Sequence, residues 1–143
     1  MDDKRRISIL IPLKQEADKI FIYLQKRSKD MERLPNFFGF WGGGLESEES
    51  AEQALVREIK EELGIDIDMD KVRSFNRYEF LRSIKNIYLF EPGKDWDDSL
   101  TIGEGDYGRW FSTEEALARP DIILEDKTVI NDLERILLKK PTK

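Results

Sequence analysis

The sequence predicts an α/β (α+β) fold in which helices sandwich a mixed β-sheet. Three observations point there. Apolar, β-branched runs open the chain, a helical period of four replaces them in its middle, and an amphipathic stripe closes it. With 143 residues and no internal repeat, low-complexity tract or long linker, the chain reads as one domain, residues 1–143, large enough to bury a real core.

The elements follow in order. Ile7 to Leu13 is a strand, and Lys19 to Arg27, with Ile20, Phe21, Ile22, Tyr23 and Leu24, is a second; Gln15 to Asp18 turn between them. A polar loop from Ser28 to Asn36 precedes Phe37-Phe38-Gly39-Phe40-Trp41-Gly42-Gly43-Gly44, aromatic and then glycine-rich. Between Ser47 and Leu63 the period turns helical. Leu55, Ile59 and Leu63 recur every four residues, and Gly64 stands where a C-terminal cap belongs. Val72 to Leu81 and Ile84 to Glu91 read as two more strands, Asp95 to Ser99 as loop, and Arg109 to Phe111 as a short strand. Ser112-Thr113-Glu114-Glu115 has capping-box spacing and starts a short helix. Val129, Leu133, Ile136 and Leu137 mark the last one.

Composition removes whole classes of chemistry. The chain has 24 Lys+Arg against 30 Asp+Glu, a net charge of −6, and neither Cys nor His. A thiol nucleophile, a thiolate zinc site, a disulfide, a histidine base and a Ser-His-Asp triad are therefore all excluded. Acid–base and metal chemistry must rest on carboxylates, which suit hard cations such as Mg²⁺ or Mn²⁺. The acidic balance argues against a nucleic-acid polymer as partner. Met1-Asp2-Asp3-Lys4-Arg5-Arg6 leads into a short run broken by Pro12, unlike a signal peptide, and no stretch is long enough to span a membrane. A cytoplasmic protein is the expectation.

The informative segment begins at the glycines. On the helix, Glu58, Glu61 and Glu62 fall within an arc of about 100° beside the Leu55, Ile59 and Leu63 stripe. Ala51 and Ala54 precede them on that arc and are expected to leave space above the helix. Three carboxylates on one face repel by a few tenths of a kcal/mol per pair, roughly, and a cation converts that cost into binding. Arg57 is in reach of both Glu61 and Glu49. A solvated acidic face is the ordinary alternative, but it leaves three consecutive glycines upstream without a purpose.

Gly43, five residues, Glu49, seven residues and then Arg57-Glu58-Ile59-Lys60-Glu61-Glu62-Leu63-Gly64-Ile65 match the Nudix box at every specified position. At usages of about 7% per residue type, its seven fixed residues coincide by chance far less than about once in 100,000 chains. The chain thus resembles the Nudix hydrolase family, with the box at 43–65, and the resemblance implies that family's α/β/α sandwich. It further implies Mg²⁺-dependent hydrolysis of a nucleoside diphosphate linked to another moiety. Carried over by position, Glu58, Glu61 and Glu62 hold the metal together with the Gly42 carbonyl. Glu58 serves as general base in some members, and Arg57 and Glu49 orient the glutamates.

Glu104-Gly105-Asp106-Tyr107-Gly108-Arg109-Trp110 is similar to the MutT-like branch, which places a Glu-Gly pair shortly before a Trp. Glu104 is accordingly expected as a further metal ligand or base, with Asp106 in reserve, and Trp110 and Phe111 as core. Arg27, at the end of the second strand, is the basic residue expected to meet phosphate, and Gly43 and Gly44 the backbone that approaches it. Trp41, where many relatives have proline, is a candidate substrate contact. Tyr23, Phe40 and Tyr78 have the chemistry to stack on a base but usually pack cores. ADP-ribose hydrolases resemble one another by a proline where this chain has Phe80, and diadenosine-polyphosphate hydrolases by a tyrosine where it has Arg82. The favoured substrate is therefore a canonical or oxidised (deoxy)nucleoside triphosphate, yielding monophosphate and pyrophosphate. The alternatives are a nucleotide sugar or another nucleoside-diphosphate conjugate and, from a different class, a non-catalytic domain that senses nucleotides. The partner is a small molecule; whether the chain forms a homodimer is left open.

Overall fold

The longest strand of the chain, Arg5–Glu16 (β1), extends beyond the apolar run that announced it. Its polar ends are extended because neighbouring strands satisfy them. Arg5 and Arg6 lie opposite Ser83 and Ile84, and Gln15 and Glu16 opposite Ile20 and Lys19. A ladder of backbone hydrogen bonds, unlike hydrophobic patterning, makes no demand on side chains. The computed structural model describes residues 4–139. Met1, Asp2 and Asp3, part of the N-terminal reading above, lie outside the described residues.

The remaining elements are β2 (Lys19–Lys26), β3 (Phe38–Gly39), β4 (Trp41–Gly44), α1 (Ala51–Leu63), β5 (Val72–Glu79), β6 (Ser83–Phe90), β7 (Tyr107–Ser112), α2 (Thr113–Ala118) and α3 (Leu124–Leu137). Strand directions are mixed. The β1–β6 pair is parallel, whereas the β1–β2, β1–β4, β2–β7 and β5–β6 pairs are antiparallel. The predicted α+β class with a mixed sheet is what is observed. The segment 37–44, read only as unusual, forms two short strands, and the loop from Asp95 closes into a 3₁₀ turn at Trp96–Ser99. No helix among the described residues is long and apolar enough to cross a membrane.

Contacts gather into two compact units, one of Met1–Pro12 with Phe40–Glu104 and the other of Leu13–Gly39 with Gly105–Lys143. In the first, β4, the first half of β1, β6 and β5 lie side by side, and Leu55, Ile59 and Leu63 of α1 are fully buried with Leu10, Ile11 and Ile87. Each such side chain contributes about 1.5–3 kcal/mol on leaving water. In the second, β2 pairs with the end of β1, with β3 and with β7, and Val129, Ile130 and Leu133 of α3 are buried with Phe111.

Helix α1 begins later than its apolar period suggests, because Ser50 is a better start than Ser47. The Ser50 side chain accepts from the Gln53 amide at 3.1 Å, and the Gln53 side chain accepts from the Ser50 amide at 2.9 Å, a complete capping box. Gly64, at φ 71°, ends the helix in the left-handed conformation, as predicted. The alanines correct one expectation. Ala54 is fully buried, and the carbonyl of Ala51 accepts a 2.6 Å hydrogen bond from the Ser8 hydroxyl, so small residues here let the helix approach β1 rather than open space for a ligand. Replacing Ser50 with Ala is expected to lower stability by about 1 kcal/mol. Urea unfolding of the full chain measures this, and an unchanged midpoint would refute the cap's role.

Candidate active site

Helix α1 carries its glutamates to the glycines of β4, and both elements belong to the first unit. Arg57 organises the meeting. Its Nε and Nη2 donate to the two carboxylate oxygens of Glu49 at 2.8 and 2.9 Å, a bidentate pair. Nη2 also donates to the Gly44 carbonyl at 3.0 Å, and Nη1 to Glu58 Oε1 at 2.9 Å. Glu61 Oε1 is 3.5 Å from Nη1, at the limit of a hydrogen bond. One guanidinium thus ties the loop before the helix, the end of β4 and a box glutamate together. The pairing holds the Glu49 carboxyl down at about 2, the hydrogen bonds from Arg57 being the main cause and the Glu46 amide the next.

Two glycines make room for two glutamates. A side chain on Gly43 would place its Cβ 2.5 Å from the carboxyl carbon of Glu58, so this carboxylate rests where any other residue would stand. At Gly42, φ is +135°, and a Cβ would run into the Ser8 carbonyl. Its amide donates to Glu62 Oε1 at 2.8 Å. Glu62 is only 4% exposed. Burial first, then repulsion from Glu104, Glu58 and Glu61, pushes its carboxyl up to about 8 against the pull of the Gly42 amide. Burial likewise raises Glu58, with Arg57 opposing it and Glu61 and Glu104 adding to it.

A loop closes on the end of α1. The Thr101 amide donates to the Leu63 carbonyl at 3.0 Å and the Gly103 amide to the Glu62 carbonyl at 2.9 Å. These bonds satisfy carbonyls the helix leaves open. They also carry Glu104 close enough for its charge to be felt at both Glu58 and Glu62. Four carboxylates therefore share one neighbourhood. Their oxygens are the donor set a hard divalent cation selects, and their mutual repulsion is what such a cation relieves. Even so, no three Asp or Glu side chains among the described residues converge into a closed ligand set, because Glu58 rests on Arg57 and Glu62 on the Gly42 amide.

The other expected contacts fall elsewhere. Trp41 is fully buried and Phe40 and Tyr23 nearly so; these rings pack core, and Trp41 offers no open face to a substrate. Arg27 lies in the second unit with Nε and Nη2 on the Arg33 carbonyl, at 3.0 and 2.8 Å. Asp106 also lies there, its amide on the Lys26 carbonyl. Tyr78 is half-buried and stacked on Phe80, and Trp110 lies 5.1 Å from the Tyr23 ring. Sequence reasoning missed Ser8, whose only signal was a hydroxyl inside an apolar run, and the Thr101–Gly103 bonds, signalled by one glycine. It also assigned Gly42 through its carbonyl, whereas the group seen engaged is its amide.

Titration of Glu62 has a definite sign. Its carboxyl ionises near 4.5 in an unfolded chain and near about 8 in the fold. Folding therefore favours the protonated form, a contribution complete below pH 4.5 and lost as pH rises through 8. Glu49 runs the other way, stabilising above pH 4.5 and losing its contribution as pH falls towards 2. Metal-free protein is expected to lose thermal stability between about pH 5 and pH 8.5. Glu62→Gln should flatten that decline and be the more stable form at pH 8.5, by on the order of 2 kcal/mol. Melting temperature against pH reads both, and parallel curves for the two proteins would disprove the assignment.

Comparison with known proteins adds the family. A NUDIX domain model matches residues 4–133. The mouse diphosphoinositol polyphosphate phosphohydrolase 3-alpha is 27% identical over 123 residues, covering 80% of this chain and 67% of its own length. For human diphosphoinositol polyphosphate phosphohydrolase 2 the values are 27% over 117 residues, 80% and 61%. Among solved structures, a MutT/nudix family protein from Enterococcus faecalis superposes with a TM-score of 0.75 at 17% identity, covering 96% of this chain and 63% of that one, a likeness of fold alone. A MutT from the pair Aliivibrio salmonicida and Vibrio cholerae gives 0.69 at 25% identity, covering 92% and 97%. The chain spans about two thirds of the length of the first three. With the family match running across nearly all the described residues, and the box glutamates gathered on their glycines, the chain belongs to the NUDIX domain family of pyrophosphohydrolases, which act on phosphoric anhydride bonds.

Proposed function

We propose that the chain is a Mg²⁺-dependent, cytoplasmic hydrolase of a nucleoside diphosphate linked to another moiety, its substrate a (deoxy)nucleoside triphosphate cleaved to monophosphate and pyrophosphate. One observation carries this reading: Glu58, Glu61, Glu62 and Glu104 share a neighbourhood in which burial chiefly, and their mutual repulsion in addition, raises Glu58 and Glu62. A purely structural surface gains nothing from that crowding. Glu58, Glu61, Glu62 and Glu104, with the Gly42 carbonyl, are the groups that would hold Mg²⁺ or Mn²⁺. Bound Mg²⁺ neutralises phosphate oxygens and lowers the pKa of water.

The chain's own residues do the rest. Arg57 holds Glu58 by Oε1 and leaves Oε2 free of that bond. Burial raises Glu58 above its ordinary value, the direction that makes it a better proton acceptor. As the water oxygen bonds to phosphorus, its proton passes to Glu58 and the bridging P–O bond breaks, its electron pair leaving with the oxygen of the departing pyrophosphate or nucleoside monophosphate. Glu49 keeps Arg57 in place, so both act as positioning residues. The Gly42 amide fixes Glu62, and Gly43 leaves the space in which Glu58 lies. Residues 1–143 form one domain in this reading, supported by a family match that runs through both compact units.

Glu104-Gly105 ahead of Trp110, and a MutT structure at 25% identity over most of both chains, support the triphosphate. A second reading has its own support, since the mouse and human relatives are named for diphosphoinositol polyphosphates. A panel of nucleoside triphosphates, nucleotide sugars and a diphosphoinositol polyphosphate, assayed with Mg²⁺, separates them by the products released. Pyrophosphate plus monophosphate from a triphosphate is the expected result. Glu58→Gln and Glu62→Gln should each lower kcat by at least about 10²-fold with melting still cooperative. Absence of turnover on every diphosphate-linked compound, with folded protein, would leave a nucleotide-sensing domain and overturn the enzyme.

A further inference from the structure

A cleft of about 290 Å³ opens at the N-terminal end of α1, also within the first unit. Arg6, Arg77, Asn86, Glu49, Ser50 and Ala51 are among its lining residues. Its floor follows from strand register. Ser8 lies opposite Asn86, and Asn86 opposite Arg77, so all three point to one face of the sheet. The Ser8 hydroxyl donates to the Ala51 carbonyl, which makes this the face that α1 covers. Arg6, two residues before Ser8, points to the same face beyond the helix start. Arg6 and Arg77 thus stand on strands two spacings apart, about 10 Å, a gap that two guanidinium arms can close on one phosphate.

The charge inside the cleft is positive. Arg6 and Arg77 are exposed, and neither guanidinium has a hydrogen bond or ion pair among the described residues. The acidic residue in the lining, Glu49, is neutralised by its bidentate pair with Arg57. Glu79, on the same strand as Arg77, is held by Lys4 at 2.7 Å. The first turn of the 13-residue α1, which Ser50 opens, adds the positive end of the helix dipole.

We infer that the cleft between Arg6, Arg77 and the start of α1 is a metal-independent binding site for a dianionic phosphate group. The guanidiniums grip the oxygens, Asn86 supplies a neutral donor, and the Ala51 and Glu52 amides face the bound charge. The site stands apart from the box glutamates, which require a cation before an anion can approach them. It is joined to them through Glu49, whose carboxylate borders the cleft while holding Arg57. The group's source is a free inorganic phosphate or a phosphoryl group on an organic molecule.

Titration of metal-free, full-length protein with orthophosphate, pyrophosphate and a nucleoside monophosphate, at constant ionic strength, tests this by calorimetry and by amide chemical shifts. Saturable binding is expected, with shifts concentrated at Arg6, Ala51, Glu52, Arg77 and Asn86. Arg6→Glu/Arg77→Glu should weaken it at least ten-fold, whereas Lys29→Glu/Lys71→Glu, the same charge change outside the cleft, should not. Equal affinity for all three probes identifies the phosphate group alone; tighter monophosphate binding identifies the organic source. Lack of saturation, shifts centred on Gly42 and Glu58–Glu62, or equal weakening by both charge-reversed pairs would each overturn the site. The measurement excludes metal and turnover, so its outcome is independent of the hydrolase reading.

Discussion

Arg57 is the constraint on which this site depends. A bare row of glutamates on α1 would splay into solvent under its own repulsion. Instead one guanidinium bonds Glu49, Glu58 and the Gly44 carbonyl at 2.8–3.0 Å, fixing loop, helix and strand to one another. Arginine suits the position because its planar fork can engage a carboxylate with two bonds and still reach other acceptors, which a lysine ammonium does less rigidly. The other positional facts follow. With Glu58 held sideways, only glycine fits at 43, and with β4 drawn towards the helix, the Gly42 amide meets Glu62.

Electrostatic tension is built in beside that clamp. Glu49 is held low by Arg57, while Glu58 and Glu62, further along the same segment, are held high by burial and by one another. Neighbouring groups of one chemical type are thus driven apart, one held ionised as an anchor and the others pushed towards their protonated form. The tension is tolerated because the rest of α1 is firmly set. Its capping box, its left-handed glycine end and three fully buried aliphatic residues hold the helix irrespective of what its acidic face does.

Much of this was legible in the sequence, and the reason is that it is local. The period of Leu55, Ile59 and Leu63, the glycine after the helix and the spacing of the box are written within 23 consecutive residues, where geometry is a function of residue separation. The strands' existence was legible for the same reason. Their ends were not, since Arg5 and Glu16 are extended only because distant strands lie beside them. Trp41 shows the same limit. An aromatic beside three glycines is equally compatible with a platform and with core, and only the packing around it, which comes from elsewhere in the chain, buries it. Arg27 was assigned to phosphate from its place at a strand end, while the structure shows it folded onto its own loop at Arg33.

Charge distribution links the two ends of α1. Average composition suggests an acidic protein with a uniform aversion to anions, but the two ends of α1 carry different local charge. Glutamates gather where a cation can convert their repulsion into affinity, and Arg6 and Arg77 stand at the helix start, where the backbone dipole already favours negative charge. Each group therefore sits where the helix field opposes or assists it in the sense its function requires. Carboxylates near the C-terminal end of a helix are disfavoured by the dipole, and Glu62 there is raised by burial and by neighbouring carboxylates. A cation bound there would relieve both, whereas the opposite end favours an anion. Glu49 belongs to both neighbourhoods, lining the cleft at the helix start while its carboxylate holds Arg57, which in turn bonds Glu58.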